Sequence, residues 1–252
     1  MLGVSDLVVR NVLEAAALAE LRSWSDDVQR WPAGSHIWGQ YAERTPRGDV
    51  ICRTENVSAC HDQFCRLVDG ALAQIVTERL GTAVVAFKDK MNYKQPGGAG
   101  FRPHQDQVAY PGAANVMSIL VAIDECSVES GCIWLAGGVD ALLPTDDRGV
   151  VRADVAEALK WEPVELAPGD AVCLPGYAPH YSAANQTECQ RRVFITSYSP
   201  ASNAYTREDY YAARQAVMTD ATARDGRFRI STLADFEGME TPATHPLSCT
   251  HA

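Results

Sequence analysis

The stretch Lys90-Met91-Asn92-Tyr93-Lys94-Gln95-Pro96-Gly97-Gly98-Ala99-Gly100-Phe101-Arg102-Pro103-His104-Gln105-Asp106 decides how this chain is read. Its opening residues complete a strand expected from Val84 to Lys94, on which Lys90, Asn92 and Lys94 share one face. Pro96-Gly97-Gly98 then marks a turn. Beyond it, His104-Gln105-Asp106 sets an imidazole and a carboxylate two positions apart, and an extended backbone sends both to the same side. On spacing alone the pair reads more readily as surface or hydrogen-bonded residues than as a metal site. The Gly-rich turn lacks the Lys-Ser pattern and following helix of a phosphate-binding loop, and a flexible lip over a site is expected instead.

Working outward, short segments rich in Val, Ile, Phe and Tyr recur after Gly81, at Val116 to Ile123, Cys132 to Ala136, Ala171 to Leu174 and Arg192 to Ser197. Pro168-Gly169-Asp170 and Pro175-Gly176 punctuate them. A third metal-ligand candidate, His180, follows one such run, where a neighbouring antiparallel strand can carry it beside His104. Two imidazoles and one carboxylate on one face of an octahedron leave the open positions associated with oxygen-activating non-haem iron. Eleven residues after His180 stands Arg191, whose planar fork suits a carboxylate. Strand alternation requires that only one of Arg191 and Arg192 point inward.

Before this β region the spacing of apolar residues predicts helices over Leu13 to Val28, ended by Pro32-Ala33-Gly34, and over Ser58 to Leu80, with Ser58 as N-cap and Gly81 beyond the end. After it, Thr206-Arg207-Glu208-Asp209 opens a helix expected to reach about Thr219. The 252 residues are expected to form one domain: a helical part over about 1–81, a β core over about 82–200, and a C-terminal helix and tail over about 201–252.

A formal net charge of -10, from 32 acidic and 22 basic residues, argues against nucleic-acid partners. No stretch approaches the roughly 20 apolar residues of a membrane helix, and the N-terminus lacks a signal-peptide pattern, so a cytoplasmic location and no membrane partner are expected. The eight cysteines include no Cys-x-x-Cys pair and are read as reduced thiols.

The segment from Lys90 to Asp106, the run Ala122-Ile123-Asp124 followed by Glu129-Ser130-Gly131-Cys132-Ile133, and His180-x-Ser182-x-x-Asn185 leading to Arg191 together resemble the phytanoyl-CoA hydroxylase-like (PhyH) family of Fe(II)/2-oxoglutarate oxygenases. The likeness spans roughly Val84 to Pro200. It implies a mainly β fold with flanking helices, a double-stranded β-helix or cupin-like jelly-roll. It also implies that His104, Asp106 and His180 bind iron, that Arg191 holds the distal carboxylate of 2-oxoglutarate with help from Ser182, and that O2 is the oxidant. Lys90 and Asn92 could also reach the cosubstrate. Retention of Asp106 disfavours halogenation, because halogenating relatives lack that carboxylate. The chain departs from the family at Ala136-Gly137-Gly138-Val139-Asp140, where members often carry Pro-Gly-Ser-His, and has aliphatics where an aromatic is common on the Val116 to Ile123 strand.

Gln107, Tyr110, Arg102 and Tyr177 are the candidate substrate contacts. The resemblance implies hydroxylation of a small polar metabolite, of an aminocyclitol-type natural product in the first instance, with an aminoalkylphosphonate as the alternative. A zinc hydrolase and a non-catalytic jelly-roll module are the rival classes. Oligomeric state is open.

Overall fold

The computed structural model describes residues 3–31, 39–225, 230 and 236–240, and of residues 218–225 the backbone alone. In chain order the elements are β1 (Val8–Val9), α1 (Ala15–Gln29), β2 (Gly39–Thr45), β3 (Gly48–Glu55), α2 (Asp62–Leu67), α3 (Ala73–Leu80), β4 (Val84–Lys94), β5 (Phe101–His104) and β6 (Met117–Ala122). They continue with β7 (Ile133–Ala136), α4 (Ala153–Ala156), β8 (Trp161–Val164), β9 (Ala171–Pro175), β10 (His180–Ser182), β11 (Arg191–Pro200), α5 (Arg207–Asp225) and β12 (Met239–Glu240). The strands form an eight-stranded sheet, ordered β1-β9-β6-β11-β4-β3-β2-β12, and a four-stranded sheet, β5-β10-β7-β8. All pairings are antiparallel. This is the double-stranded β-helix, mainly β with flanking helices.

Strand β6 is buried along its whole length because both of its faces are covered. Leu120 and Ala122 meet Leu135, Val164, Val172 and Val193 between the sheets. Ile119 and Val121 project the other way, with Met91, Tyr93 and Phe194, against Leu21, Val28, Phe64, Leu72 and Val76 of the helical layer. The period of two thus sorts each central strand between two cores.

Three local expectations are corrected. The N-terminal part is not purely helical, because β2 and β3 form a hairpin that pairs with β4. Its buried members include Glu43, Arg53 and Glu55, so the apolar alternation that betrays a strand is missing from this segment. The expected helix over Ser58 to Leu80 starts at Asp62 and is broken by a wide turn at Val68–Leu72, where Gly70 leaves helical geometry. Ser58 does not cap it, for its amide (3.1 Å) and hydroxyl (2.6 Å) both donate to the buried carboxylate of Asp89. Gly81 does end α3 in the left-handed region at φ +68.

Helix α1 ends at Gln29, with Arg30 as its C-cap. The Pro32-Ala33-Gly34 stop lies outside the described residues. At the start of α5, Thr206 and Asp209 bond reciprocally, side chain to backbone, at 2.9 and 3.1 Å. Among the described residues no helix is long and apolar enough to cross a membrane, and the seven described cysteines are free.

Candidate active site

The ladder between β5 and β10 pairs His104 directly with His180. Their rings stand 4.3 Å apart, centroid to centroid. Asp106 does not lie on the strand as the His-x-Asp spacing suggested. It begins a 3-10 turn (Asp106–Ala109). Because Gln105 keeps extended backbone angles, φ -122 and ψ 128, the two-residue offset still brings the carboxylate to the side of the imidazole. The potential ligand atoms of His104, Asp106 and His180 all fall within 4.8 Å of one another.

Each histidine is oriented by its own backbone. Nδ1 of His104 lies 2.7 Å from the carbonyl of Arg102, and Nδ1 of His180 lies 3.0 Å from that of Ala178. A carbonyl only accepts, so both Nδ1 atoms carry the proton and both Nε2 atoms are left as ligands. The Ser118 hydroxyl donates to Asp106 at 3.1 Å. Burial first, then the neighbouring His104, pulls His180 down to about 4, so that it is neutral near pH 7, the form a metal requires. Burial pushes the Asp106 carboxyl up, but His180, Lys90, Lys88 and His104 outweigh it and hold the group well below the usual carboxylate range. Two imidazoles and one carboxylate clustered on one side are a donor set that fits a divalent iron with open positions.

Between the residues of this triad, Gln105 faces away from the ligands and braces the loops. Its amide donates to the carbonyls of Ala141 (3.0 Å) and Tyr177, and its oxygen accepts from the Leu143 amide at 2.8 Å.

At the other end of the same cavity, Arg191 pairs with Lys94 across the β11–β4 ladder. Arg191 is 5% exposed and lines the cavity, whereas Arg192 turns outward to Asp124 (2.8 Å) and Asp26. The Arg191 guanidinium donates to the Gly131 carbonyl at 2.8 Å. The Lys94 ammonium donates to the Ser182 hydroxyl at 2.9 Å, to Gly131 at 3.3 Å and to the Ala183 carbonyl. Ser182 therefore joins Arg191 through Lys94. Burial and Arg191 together drive the Lys94 ammonium well below its ordinary range. Gly131, at φ +74, allows this convergence, since a Cβ there would lie 2.5 Å from the Ala183 carbonyl oxygen.

One cavity, open to solvent at its mouth, is lined by the triad and by Arg191 together. Its floor is the inner face of β4, where Lys88, Lys90, Asn92 and Lys94 alternate inward. Tyr110 lines it too, accepting from Lys88 at 2.7 Å. The three other candidate substrate contacts do not line it. Gln107 sits in the tight turn after Asp106, and its carboxamide is committed to the Ala113 carbonyl (2.6 Å) and the Val116 amide (3.4 Å). Arg102 is exposed, the odd member of the alternation that turns His104 inward. Tyr177 contributes its carbonyl to Gln105 and sends its ring elsewhere.

The Gly-rich turn borders the cavity through Ala99 but is tied down rather than free. Ala99 donates to Glu43 at 2.6 Å, and Gly97 and Gly98 exchange backbone bonds with Asn185 at 2.9 Å.

Arg53 from β3 and Arg214 from α5 also reach the cavity. Neither was legible in the sequence: the hairpin that carries Arg53 was not read, and the expected helix that carries Arg214 had no register against the sheet. Lys88, one step further along the alternation of Lys90, Asn92 and Lys94, could have been found from that period.

The sequence profile of the phytanoyl-CoA dioxygenase (PhyH) family matches residues 6–193. The chain is 32% identical over 236 residues to methylphosphonate hydroxylase from Gimesia maris, covering 92% of this chain and 91% of that one. It is likewise 32% identical over 210 residues to 2-aminoethylphosphonate dioxygenase from an uncultured bacterium, covering 81% and 80%. Among solved structures, the non-haem α-ketoglutarate-dependent epimerase SnoN of nogalamycin biosynthesis superposes with a TM-score of 0.65 at 22% identity, over 77% of this chain and 78% of that one, which shows the shared fold. The chain thus belongs to the phytanoyl-CoA dioxygenase (PhyH) family and is a 2-oxoglutarate-dependent non-haem iron dioxygenase.

Proposed function

We propose that the protein hydroxylates a C–H bond of a small organophosphonate. His104, Asp106 and His180 hold the iron. Arg191, with Lys94 and Ser182 beside it, receives the distal carboxylate of 2-oxoglutarate. Bound iron with this cosubstrate supplies the oxidation: O2 and 2-oxoglutarate become succinate and carbon dioxide, and one oxygen atom enters the substrate as a hydroxyl. The chain's own part is to fix the three ligands through backbone carbonyls and Ser118, to keep His180 unprotonated, and to set both small molecules in one buried cavity.

The observation that carries the substrate class is the charge of the cavity wall. Lys88, Lys90, Arg53 and Arg214 line the side away from Arg191. The described carboxylates that line the cavity are Asp106, a metal ligand in this reading, and Glu43, which accepts from the Ala99 amide at 2.6 Å, while Glu55 behind the wall is engaged by Arg53 (3.3 Å) and Arg214 (3.0 Å). Such a wall favours an anion and opposes a cationic aminocyclitol. Two relatives whose names specify phosphonates match over most of their length, so the phosphonate reading takes precedence over the natural-product reading. Purified enzyme with Fe(II), 2-oxoglutarate and O2 should form succinate and a hydroxylated product in equal amounts from methylphosphonate or 2-aminoethylphosphonate. His104→Ala should abolish both. Turnover of aminocyclitols or acyl-CoA esters, with none of either phosphonate, would overturn the proposal.

A further inference from the structure

Along the inner face of β4 every cation but one has a fixed partner among the described residues. Lys94 is shared among Ser182, Gly131 and Ala183. Lys88 donates to the Tyr110 hydroxyl and lies over the rings of Tyr110 and Tyr210, 5.0 and 5.3 Å from their centroids. Opposite them, Arg53 donates to Asn92 at 3.0 Å and to Glu55 and Ile230, while Arg214 is held by Glu55 and Tyr41. Lys90 stands between Lys88 and Asn92 and makes no hydrogen bond or ion pair to any described residue, though it lines the cavity with the metal triad. Lys90 is half-buried and feels Asp106 and Glu55 only at longer range, so its donors are left to a ligand anion that reaches the cavity.

Register separates Lys90 from the cosubstrate end. On β11, Lys94 faces Arg191, whereas Lys90 faces Ile195. Four residues of strand put them about 13 Å apart. The Lys90 ammonium instead lies in the field of Asp106, at the end of the cavity that holds the triad. Burial, then Lys88 and Arg53, disfavours its charge in the free protein, so an arriving anion relieves the repulsion.

We propose that Lys90 is the receptor for the substrate's anionic tetrahedral head group, with Lys88 and Arg53 supplying the surrounding positive field and Asn92 holding Arg53 in place. This assignment rests on the organophosphonate reading above and moves Lys90 from the cosubstrate, where the sequence had suggested it, to the substrate. An ammonium offers up to three donors to phosphonate oxygens. Its loss leaves the head group facing cations that are already engaged.

The test is calorimetric titration of the Fe(II)·2-oxoglutarate protein without oxygen, for wild type, Lys90→Met and Lys90→Arg, with methylphosphonate and separately with inorganic phosphate. Lys90→Met should weaken methylphosphonate about 10- to 100-fold, the range of a charge-assisted hydrogen bond, and should leave 2-oxoglutarate affinity within threefold. Lys90→Arg should recover most of the loss, which a mere packing role would not allow. Unchanged methylphosphonate affinity in Lys90→Met, or a parallel loss of 2-oxoglutarate, overturns the assignment. If wild type ignores methylphosphonate but binds phosphate through Lys90, the head-group site stands and the phosphonate reading falls. If it binds neither, both fall.

Discussion

Replacing Arg191 by Gln removes the guanidinium that faces the expected position of the distal carboxylate of 2-oxoglutarate. The side chain is 5% exposed, so water cannot substitute for it. Deleting one partner of a buried charged pair costs about 3–5 kcal/mol. Lys94, paired with Arg191 across the ladder and bonded to Ser182, remains beside the carboxylate. The lower end therefore applies, and about 3 kcal/mol corresponds to a Kd for 2-oxoglutarate raised by roughly 150-fold. Arg191→Lys keeps the charge and loses the fork, so a loss of about tenfold is expected. Arg192→Gln supplies the control, because that side chain points away to Asp124 and Asp26, and its Kd should stay within threefold of wild type. The assay is anaerobic titration of the Fe(II) protein, following the visible absorbance that 2-oxoglutarate induces, with thermal melts to establish that each variant is folded. A Kd for Arg191→Gln within threefold of wild type, or an equal loss in Arg192→Gln, would refute the placement of the cosubstrate.

Two further outcomes follow from the same geometry. His180 is held at about 4 in the folded chain against an ordinary value near 6.5. Between those values the unfolded chain binds the extra proton, so the metal-free protein should lose about 3 kcal/mol of stability as pH falls from about 6.5 to 4. Urea unfolding after chelation measures this, and a His180→Gln variant should lack that component; an identical pH slope in the variant would sink the assignment. Gly100→Ala should lower both the melting temperature and iron affinity. Its new Cβ would lie 1.9 Å from the Ser182 carbonyl oxygen, forcing apart the β5–β10 ladder that registers His104 with His180, at about 2–3 kcal/mol. A melt and an iron titration indistinguishable from wild type would show that the ladder tolerates the strain.

What the sequence revealed and what it hid have one physical origin. His104, Asp106, His180 and Arg191 stand next to strands whose apolar alternation is plain, so their directions could be inferred: β4, β6, β7, β9 and β11 lie within a few residues of expectation. Even the misplaced end of β5 did no harm, because Gln105 stays extended after the ladder stops. Gln107 and Tyr177 failed for the opposite reason, since tight turns decide where their side chains go and a two-residue period does not apply there. The β2–β3 hairpin was hidden by its function. Glu43, Arg53 and Glu55 are buried and charged, and charge within a short segment reads as surface. They are charged because they face, or brace residues that face, a polar cavity on the inside of the sheet. In a barrel that binds anions at its centre, the strands nearest the ligand are the ones whose apolar pattern is most disturbed. A segment that breaks the pattern of its neighbours and still pairs with them, as β3 does with β4, therefore marks the wall of the site.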